Sequence, residues 1–169
     1  TNFFNSTGIF INSRRTMKGS VNEGGIRVPM IASWPKKIKP GSSTDHVSIF
    51  YDFFETACEV AQINSNLKTD GISYYPTLIG KKQIKHKYLY WEYPASGGLQ
   101  AIRMGKWKGI KKDLFKTKSK LELYDISIDH KELTDLSEKF PEIVSKMENF
   151  LIEAHNTPSL SNFIIPSLE

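Results

Sequence analysis

Four short candidate strands followed by an amphipathic helix constrain the fold of this chain more than any other feature of its sequence. Turn-forming residues such as Pro94 and the pair Gly97-Gly98 separate the strands. Because connections this short join antiparallel neighbours, the pattern predicts a four-stranded antiparallel sheet with one covered face. Trp107 and Ile110 break strict alternation, so we expect a β-bulge at Gly109. The candidate strands are residues 88–93, 99–104, 106–111 and 121–125.

The helix that covers this sheet is predicted to begin near Pro141. Proline suits the first helical turn, and Glu142 complements the helix dipole there. The apolar side chains that follow recur at helical spacing and form one face, which we expect to be buried against the sheet. They are Ile143, Val144, Met147, Phe150, Leu151 and Ala154.

The first half of the chain predicts two further buried elements. Residues 28–34 form an apolar run before Pro35 and predict a short buried strand. A helix is predicted with Asp52 as its N-cap and Glu55 three residues later, as in a capping box. Its apolar stripe, which we expect to face a core, comprises Phe50, Phe53, Phe54, Ala57, Ala61 and the single cysteine, Cys58.

The charges are unevenly distributed along a chain whose net charge is +5. Residues 103–120 carry eight basic groups and one acidic group, whereas residues 121–169 carry three basic and ten acidic groups. We expect the two blocks to neutralise each other in the fold. Because aromatic residues interleave with the lysines, a non-catalytic basic module that binds nucleic acid or a sulfated polysaccharide remains an alternative. No apolar run approaches the roughly 18 residues that span a membrane.

A glycine-rich segment, residues 18–29, places a lysine, a carboxylate and an arginine around one turn. Gly24 and Gly25 permit positive φ or close approach of another group to the backbone. Lys18 would act as a point charge and Arg27 as a planar fork, a set that suits a small tetrahedral anion. A solvated turn with a Glu23–Arg27 pair is the simpler interpretation of the same residues.

The segment resembles one in the C-terminal half of sulfatases, metal-dependent hydrolases of the alkaline-phosphatase superfamily. The matching string is Lys-Gly-x-x-x-Glu-Gly-Gly-x-Arg-Val-Pro, followed by Trp34-Pro35. Further matches follow in the family's order: Asp70-Gly71-x-Ser, Tyr90-Trp91-Glu92, Arg103-x-Gly-x-Trp-Lys and Glu122-Leu-Tyr-Asp. The resemblance implies the end of an alkaline-phosphatase-like α/β/α domain (residues 1–82), the sheet-plus-helix subdomain (83–155) and a C-terminal tail (156–169).

The resemblance also implies roles for particular residues. Lys18 is the sulfate-binding lysine, and Glu23, Gly24, Gly25 and Arg27 shape its loop. The family's nucleophile is a formylglycine made within a Cys/Ser-x-Pro/Ala-x-Arg motif, which this chain lacks. We therefore expect the formylglycine and calcium, or another divalent cation, in the longer parent and no metal ligand in this chain. Trp91, Glu92 and Tyr93 are candidates to line the substrate entrance.

The sequence therefore predicts the C-terminal part of a sulfatase, with nucleophile and metal ligands outside the chain and no activity in this chain alone. Its partners would be the remainder of the catalytic domain and a sulfated small molecule or saccharide, with no nucleic acid and no membrane. The resemblance weakly favours a periplasmic or secreted location. A phosphoesterase or phosphonate hydrolase of the same superfamily is the other enzymatic alternative.

Overall fold

The computed structural model describes residues 18–64, 66–116 and 119–169. Residues 1–17, which open the first predicted domain, and residues 117–118 of the basic block lie outside the described residues. The chain divides into two compact units: a sheet unit, made of the described residues up to Pro29 with Tyr88–Glu169, and a small unit, Met30–Lys87. The domain ranges drawn from the family resemblance stay predictions.

The predicted antiparallel sheet and its covering helix are confirmed. Four strands pair antiparallel in the order β1-β2-β3-β4. At the β1–β2 turn Gly97 and Gly98 have φ of +86° and +79°, a conformation that favours glycine. The elements are α1 (Glu23–Ile26), α2 (Asp52–Ala61), α3 (Tyr75–Leu78), β1 (Leu89–Tyr93), β2 (Leu99–Met104), β3 (Trp107–Lys111), β4 (Glu122–Asp125), α4 (Pro141–Ala154) and a 3₁₀ turn (Ser161–Phe163).

Helix α4 packs on one face of the sheet through the apolar stripe that its sequence predicts. Met147, Phe150 and Leu151 are buried against Ile102 and Leu123. The ring of Tyr88 stacks on that of Phe150 with 4.8 Å between centroids. This face is therefore a closed apolar core.

The second face of the sheet is also covered, so the prediction of one covered face was wrong. Its buried cluster joins strand residues to Val21 from the glycine-rich segment and to Ile126, which follows β4. The segment that carries Lys18 therefore lies across the sheet and contributes to its core. The strand members of this cluster are Leu99, Ala101, Ile110 and Tyr124.

The expected β-bulge at Gly109 is also wrong, because β3 pairs with β4 in unbroken register, with Gly109 opposite Leu123. A Cβ at Gly109 would lie 2.9 Å from Leu121 Cδ1 and 3.1 Å from Ile102 Cγ2. Glycine therefore stands here because neighbouring side chains fill the space.

The small unit differs from its predicted form. The helix predicted here forms as α2, but Asp52 is its first residue and Tyr51 its N-cap, without a side-chain capping bond, so the predicted capping box is wrong. Phe50 and Phe53 of its apolar stripe are 93% and 60% exposed. Residues 28–34 form no strand, and Ile31 is 78% exposed. A strand needs a neighbour to satisfy its backbone groups, and no described strand pairs with this segment. Both predicted burials therefore fail within the described chain.

Polar groups organise the interior of the small unit. The fully buried Asp52 carboxylate accepts hydrogen bonds from the backbone N–H of Ile49 and of Ile72, each at 2.9 Å. His86 Nε2 lies 2.7 Å from the same carboxylate. A Cβ at Gly71 would lie 2.6 Å from the Tyr51 carbonyl oxygen, so only glycine fits this approach. Among the described helices, none has the length and apolar character needed to cross a membrane.

Candidate functional site

Lys18 is placed beside the β1–β2 turn by the residue that follows it. Gly19 has φ +88°, and a Cβ there would lie 3.8 Å from the Tyr93 hydroxyl oxygen. Ser96 Oγ donates a hydrogen bond to the Gly19 carbonyl oxygen at 3.4 Å. Lys18 is exposed, and it has no ion-pair partner in the described part of the chain. The ammonium is therefore accessible to an external anion.

Five residues beyond Lys18, the segment is fixed to the sheet by a buried ion cluster of Glu23, Lys108 and Glu132. The Lys108 side chain is fully buried, and its Nζ lies 3.0 Å from Glu23 Oε1 and 2.8 Å from Glu132 Oε1. The Glu23 backbone N–H donates to Glu132 Oε2 at 2.9 Å. These contacts join α1, β3 and the turn after β4, three regions remote in sequence.

The buried ion cluster keeps its central carboxylate ionised. Burial by itself raises the pKa of Glu23, but the attraction and hydrogen bond of Lys108 outweigh it, so the net pKa of Glu23 is lowered. Arg103 and Arg27 act in the same direction. The predicted Glu23–Arg27 pair exists at 3.5 Å, with a half-exposed arginine and a buried glutamate. Glu23 is thus a structural centre rather than a surface partner.

The two glycines of the segment do not take positive φ, which was one of the two possibilities predicted for them. Gly24 and Gly25 lie within the helical turn α1, and the positive φ occurs at Gly19 instead. Because Gly19 directly follows Lys18, its backbone conformation sets the direction of the chain at Lys18 relative to the β1–β2 turn.

The three candidate entrance residues have different surroundings. Trp91 packs against the core cluster that includes Val21, and so has a structural partner. Glu92 accepts a hydrogen bond from Tyr90 and lies 2.8 Å from His155 Nδ1. Tyr93 is 37% exposed and is the one that reaches the Lys18 turn. Contact with substrate stays a prediction for all three.

Sequence patterns did not identify Lys108 and Glu132 as parts of this site. The lysine lies in a strand that alternates charged and apolar residues, a pattern that indicates a solvated face. The glutamate lies 109 residues from its Glu23 partner, so no local spacing connects them. The one local indication of burial is that Lys108 lies on the same strand face as Ile110, an apolar residue.

The lysines of the basic block pair with carboxylates, as the charge distribution predicted. Lys106 pairs with Asp125 at 2.6 Å and Lys111 with Glu148 at 3.3 Å. Lys112 pairs with Glu122, and Lys108 is buried in the ion cluster. This pairing leaves less free charge for nucleic acid than the sequence count alone indicates.

The described residues do not fit a metal centre. No three histidine, cysteine, aspartate or glutamate side chains within the described ranges are grouped so that they could bind an ion. Two partly buried histidines pair with carboxylates: His86 contacts Asp52, and His155 contacts Glu92 and Glu169. The described residues around Lys18 thus present an accessible cation and no set of metal ligands.

Comparison with known proteins gives concordant results. The family described as N-sulphoglucosamine sulphohydrolase, C-terminal, matches residues 14–157. An uncharacterized sulfatase of Schizosaccharomyces pombe is 33% identical over 142 residues, which cover 79% of this chain and 26% of the relative. An N-acetylgalactosamine-6-O-sulfatase of Bacteroides thetaiotaomicron is 28% identical over an alignment that covers 79% of this chain and 28% of the relative.

Solved structures agree with this result. The crystal structure of Ps i-CgsB superposes with a TM-score of 0.69 and 26% identity, covering 92% of this chain and 33% of that one. The chain spans about a quarter of the length of the two curated relatives described above, 26% and 28%. It aligns to the C-terminal part of sulfatase structures.

Proposed function

The chain belongs to the sulfatase family, and we propose that it forms the C-terminal part of an enzyme that hydrolyses sulfate esters. The family implies a metal and a formylglycine in the full enzyme. Since the described residues of this chain fit neither group, both would come from the remainder of the catalytic domain. The contribution that we assign to this chain is a positioned cation for the sulfate group.

Lys18 is the residue that we propose for this role. Its ammonium would lie beside the sulfate and stabilise the oxygen that gains negative charge as the S–O bond breaks. The single observation that carries the proposal is the position of Lys18 on an ordered turn. It is exposed, while the next residues of its segment are fixed to the sheet at Gly19 and Glu23.

The neighbouring residues would position Lys18 rather than react. The buried ion cluster fixes Glu23, and the Ser96 hydroxyl fixes the Gly19 carbonyl. Because a misplaced catalytic group loses much of its effect, such fixation would maintain activity without contact with substrate. Tyr93, whose hydroxyl lies beside Gly19, is the aromatic residue best placed to contact the alcohol portion of the ester.

Sulfated saccharides are the substrate class that we favour. The relatives include the N-acetylgalactosamine-6-O-sulfatase and a 2-O GAG sulfatase, the latter 26% identical with a TM-score of 0.52. Ps i-CgsB has also been solved in complex with k-i-k-neocarrahexaose. An exposed tyrosine beside the lysine that we propose to bind sulfate is compatible with stacking on a sugar ring.

The decisive experiment uses a longer polypeptide that carries this chain as its C-terminal part. We expect Lys18→Ala to lower kcat/KM for 4-nitrophenyl sulfate about 10²–10³-fold, the usual loss of one stabilising donor, with an unchanged melting temperature. Lys116→Ala, which removes another exposed lysine, is the matched control and should have no effect. Unchanged kinetics in Lys18→Ala would remove the lysine from the site.

Two further measurements test the proposal as a whole. The 169-residue chain alone should not hydrolyse 4-nitrophenyl sulfate above the rate in buffer, since it lacks the nucleophile motif. The longer polypeptide should prefer 4-nitrophenyl sulfate to 4-nitrophenyl phosphate. A preference for the phosphate ester would instead support the phosphoesterase alternative.

A further inference from the structure

A basic cavity lies at the end of the sheet unit opposite the Lys18 turn. It has a volume of about 310 Å³, near the lower end of the range of about 300–1,000 Å³ typical of ligand sites. No acidic side chain is among its lining residues, and its titratable members are cationic or imidazole groups. The lining includes Arg27, Arg103, Gly105, Lys106, Ser127 and His130.

Arg103 is the group in this cavity with the most unused hydrogen-bonding capacity. Its Nε donates to the Gly105 carbonyl oxygen at 3.0 Å, which fixes the guanidinium at the β2–β3 turn. A guanidinium has five N–H donors, so four remain on the terminal nitrogens. Among the described residues Arg103 has no ion-pair partner. A half-buried, fixed fork of this kind matches the geometry of an oxyanion.

The charges around the cavity favour an anion within it. Burial lowers the pKa of Arg103, and the nearby charge of Arg27 acts in the same direction, whereas Glu23 opposes both. Glu23 attracts both guanidinium groups from outside the cavity, and no carboxylate is among the residues that line it. Lys106 is largely neutralised by Asp125, and Arg27 is partly neutralised by Glu23. An anion bound between Arg103 and Arg27 would be attracted by both guanidinium groups.

We propose that this cavity is a second oxyanion subsite, which binds a sulfate group through Arg103 and Arg27, with His130 as a further donor. The Ser127 hydroxyl at its edge already donates to Asp125 Oδ1 at 2.5 Å. It is distinct from Lys18. Gly19 contacts the β1–β2 turn, whereas Arg103 lies near the other end of β2. Four residues along a strand span about 13 Å, so a ligand that reached both positions would need two separated anionic groups. The proposal extends the proposed function and does not depend on it.

Binding of inorganic sulfate to the 169-residue chain tests the subsite directly. We expect saturable shifts of the Ser127 and His130 amide signals in NMR titrations, and no such shifts with sodium chloride at equal ionic strength. Arg103→Gln should weaken binding about tenfold or more, the effect of losing hydrogen bonds from a charged group. Lys116→Gln removes an exposed positive charge elsewhere and should leave the dissociation constant unchanged.

Two additional variants keep the result interpretable. Arg27 is half-exposed, so Arg27→Gln should fold and weaken binding even if Arg103→Gln does not fold. Lys18→Gln should leave these shifts intact, which separates this subsite from the proposed hydrolytic function. Chloride shifts equal to sulfate shifts, or unaltered affinity in both arginine variants, would overturn the proposal.

The source of the oxyanion is distinguished by a parallel titration with glucosamine 6-sulfate. Tighter binding of the sugar sulfate than of inorganic sulfate would assign a saccharide subsite. Equal or weaker binding would support a site for the free ion alone.

Discussion

The two units of this chain use different means to form an interior. The sheet unit has an apolar core on each face of its sheet. In the small unit, the only buried apolar side chains among the described residues are Ile49 and Tyr74. Its order comes from hydrogen bonds to Asp52 and to Thr56, whose Oγ1 accepts from the Tyr74 backbone N–H at 3.0 Å.

The difference indicates which unit has more apolar surface available for a partner. Apolar burial contributes roughly 25 cal/mol per Å² and is the main term that offsets chain entropy. The small unit gains little free energy from apolar burial, because Phe50, Phe53 and Ile31 are exposed. Ten large apolar residues of the described small unit are exposed, a concentration that is compatible with an interaction surface. We propose that the remainder of the catalytic domain covers them, as the share of the relatives that this chain spans implies.

The largest effect on this contrast is expected from Lys108→Ala, which leaves Glu23 and Glu132 buried without their cation. Removing one partner of a buried ion pair costs about 3–5 kcal/mol, measured as loss of unfolding free energy in urea. Lys116→Ala is the matched control, since both members of its pair with Asp113 are exposed, at 79% and 64% of the side chain. An exposed pair contributes about 0–1 kcal/mol. Equal losses in the two variants would show that the buried cluster is not a structural centre.

A pair of phenylalanines tests the contrast between the units themselves. Phe150 is 8% exposed in the core of the sheet unit, whereas Phe53 is 60% exposed on α2. Phe150→Ala should lower the unfolding free energy by about 3 kcal/mol, and Phe53→Ala by at most about 0.5 kcal/mol in this chain. A comparable loss from Phe53→Ala would show that the helix buries this ring in solution. In a longer polypeptide the Phe53 effect should increase, because the ring would then be covered.

Gly71→Ala tests the polar interior of the small unit. The new methyl group would meet the Tyr51 carbonyl oxygen at 2.6 Å, and backbone cannot move aside as a flexible side chain can. We expect a loss of about 1–3 kcal/mol, the usual cost of overpacking. Hydrogen exchange should accelerate in α2 while the amides of β2 keep their protection. Unchanged exchange in α2 would contradict the close approach.

The elements that were predicted correctly are those whose burial partners lie within the described part of the same unit. Strand β2 and helix α4 follow from periodicity and turn residues, since each packs on elements within the same unit. The strand expected at residues 28–34 and the buried stripe beginning at Phe50 failed for the opposite reason. Their patterns are compatible with burial, but the described chain contains nothing that buries them.

The site was predicted less completely than the fold. Resemblance indicated Lys18 and the residues of its loop, whose role stays a proposal, and the structure shows Glu23 paired with Arg27 as expected. Lys108 and Glu132 were missed because burial of a charge depends on long-range pairing, which no local pattern encodes. Gly109 was misassigned for a related reason. Close packing and a bulge both favour glycine, and only the contacts of Leu121 distinguish them.

The smallest expected effect concerns the pH dependence of the sheet unit. Because the net pKa of Glu23 is lowered in the folded chain, its ionised form stabilises folding above its usual pKa of 4.5. This contribution is lost as the pH falls below 4.5 through the lowered folded value. We would measure urea unfolding between about pH 6 and about pH 3, which brackets the ordinary carboxyl pKa range. The unfolding free energy should decline less steeply in Glu23→Gln than in the wild type. Glu138→Gln, at an exposed carboxylate, is the control and should keep the wild-type slope. An unaltered slope in Glu23→Gln would mean that Lys108 does not favour the ionised carboxylate.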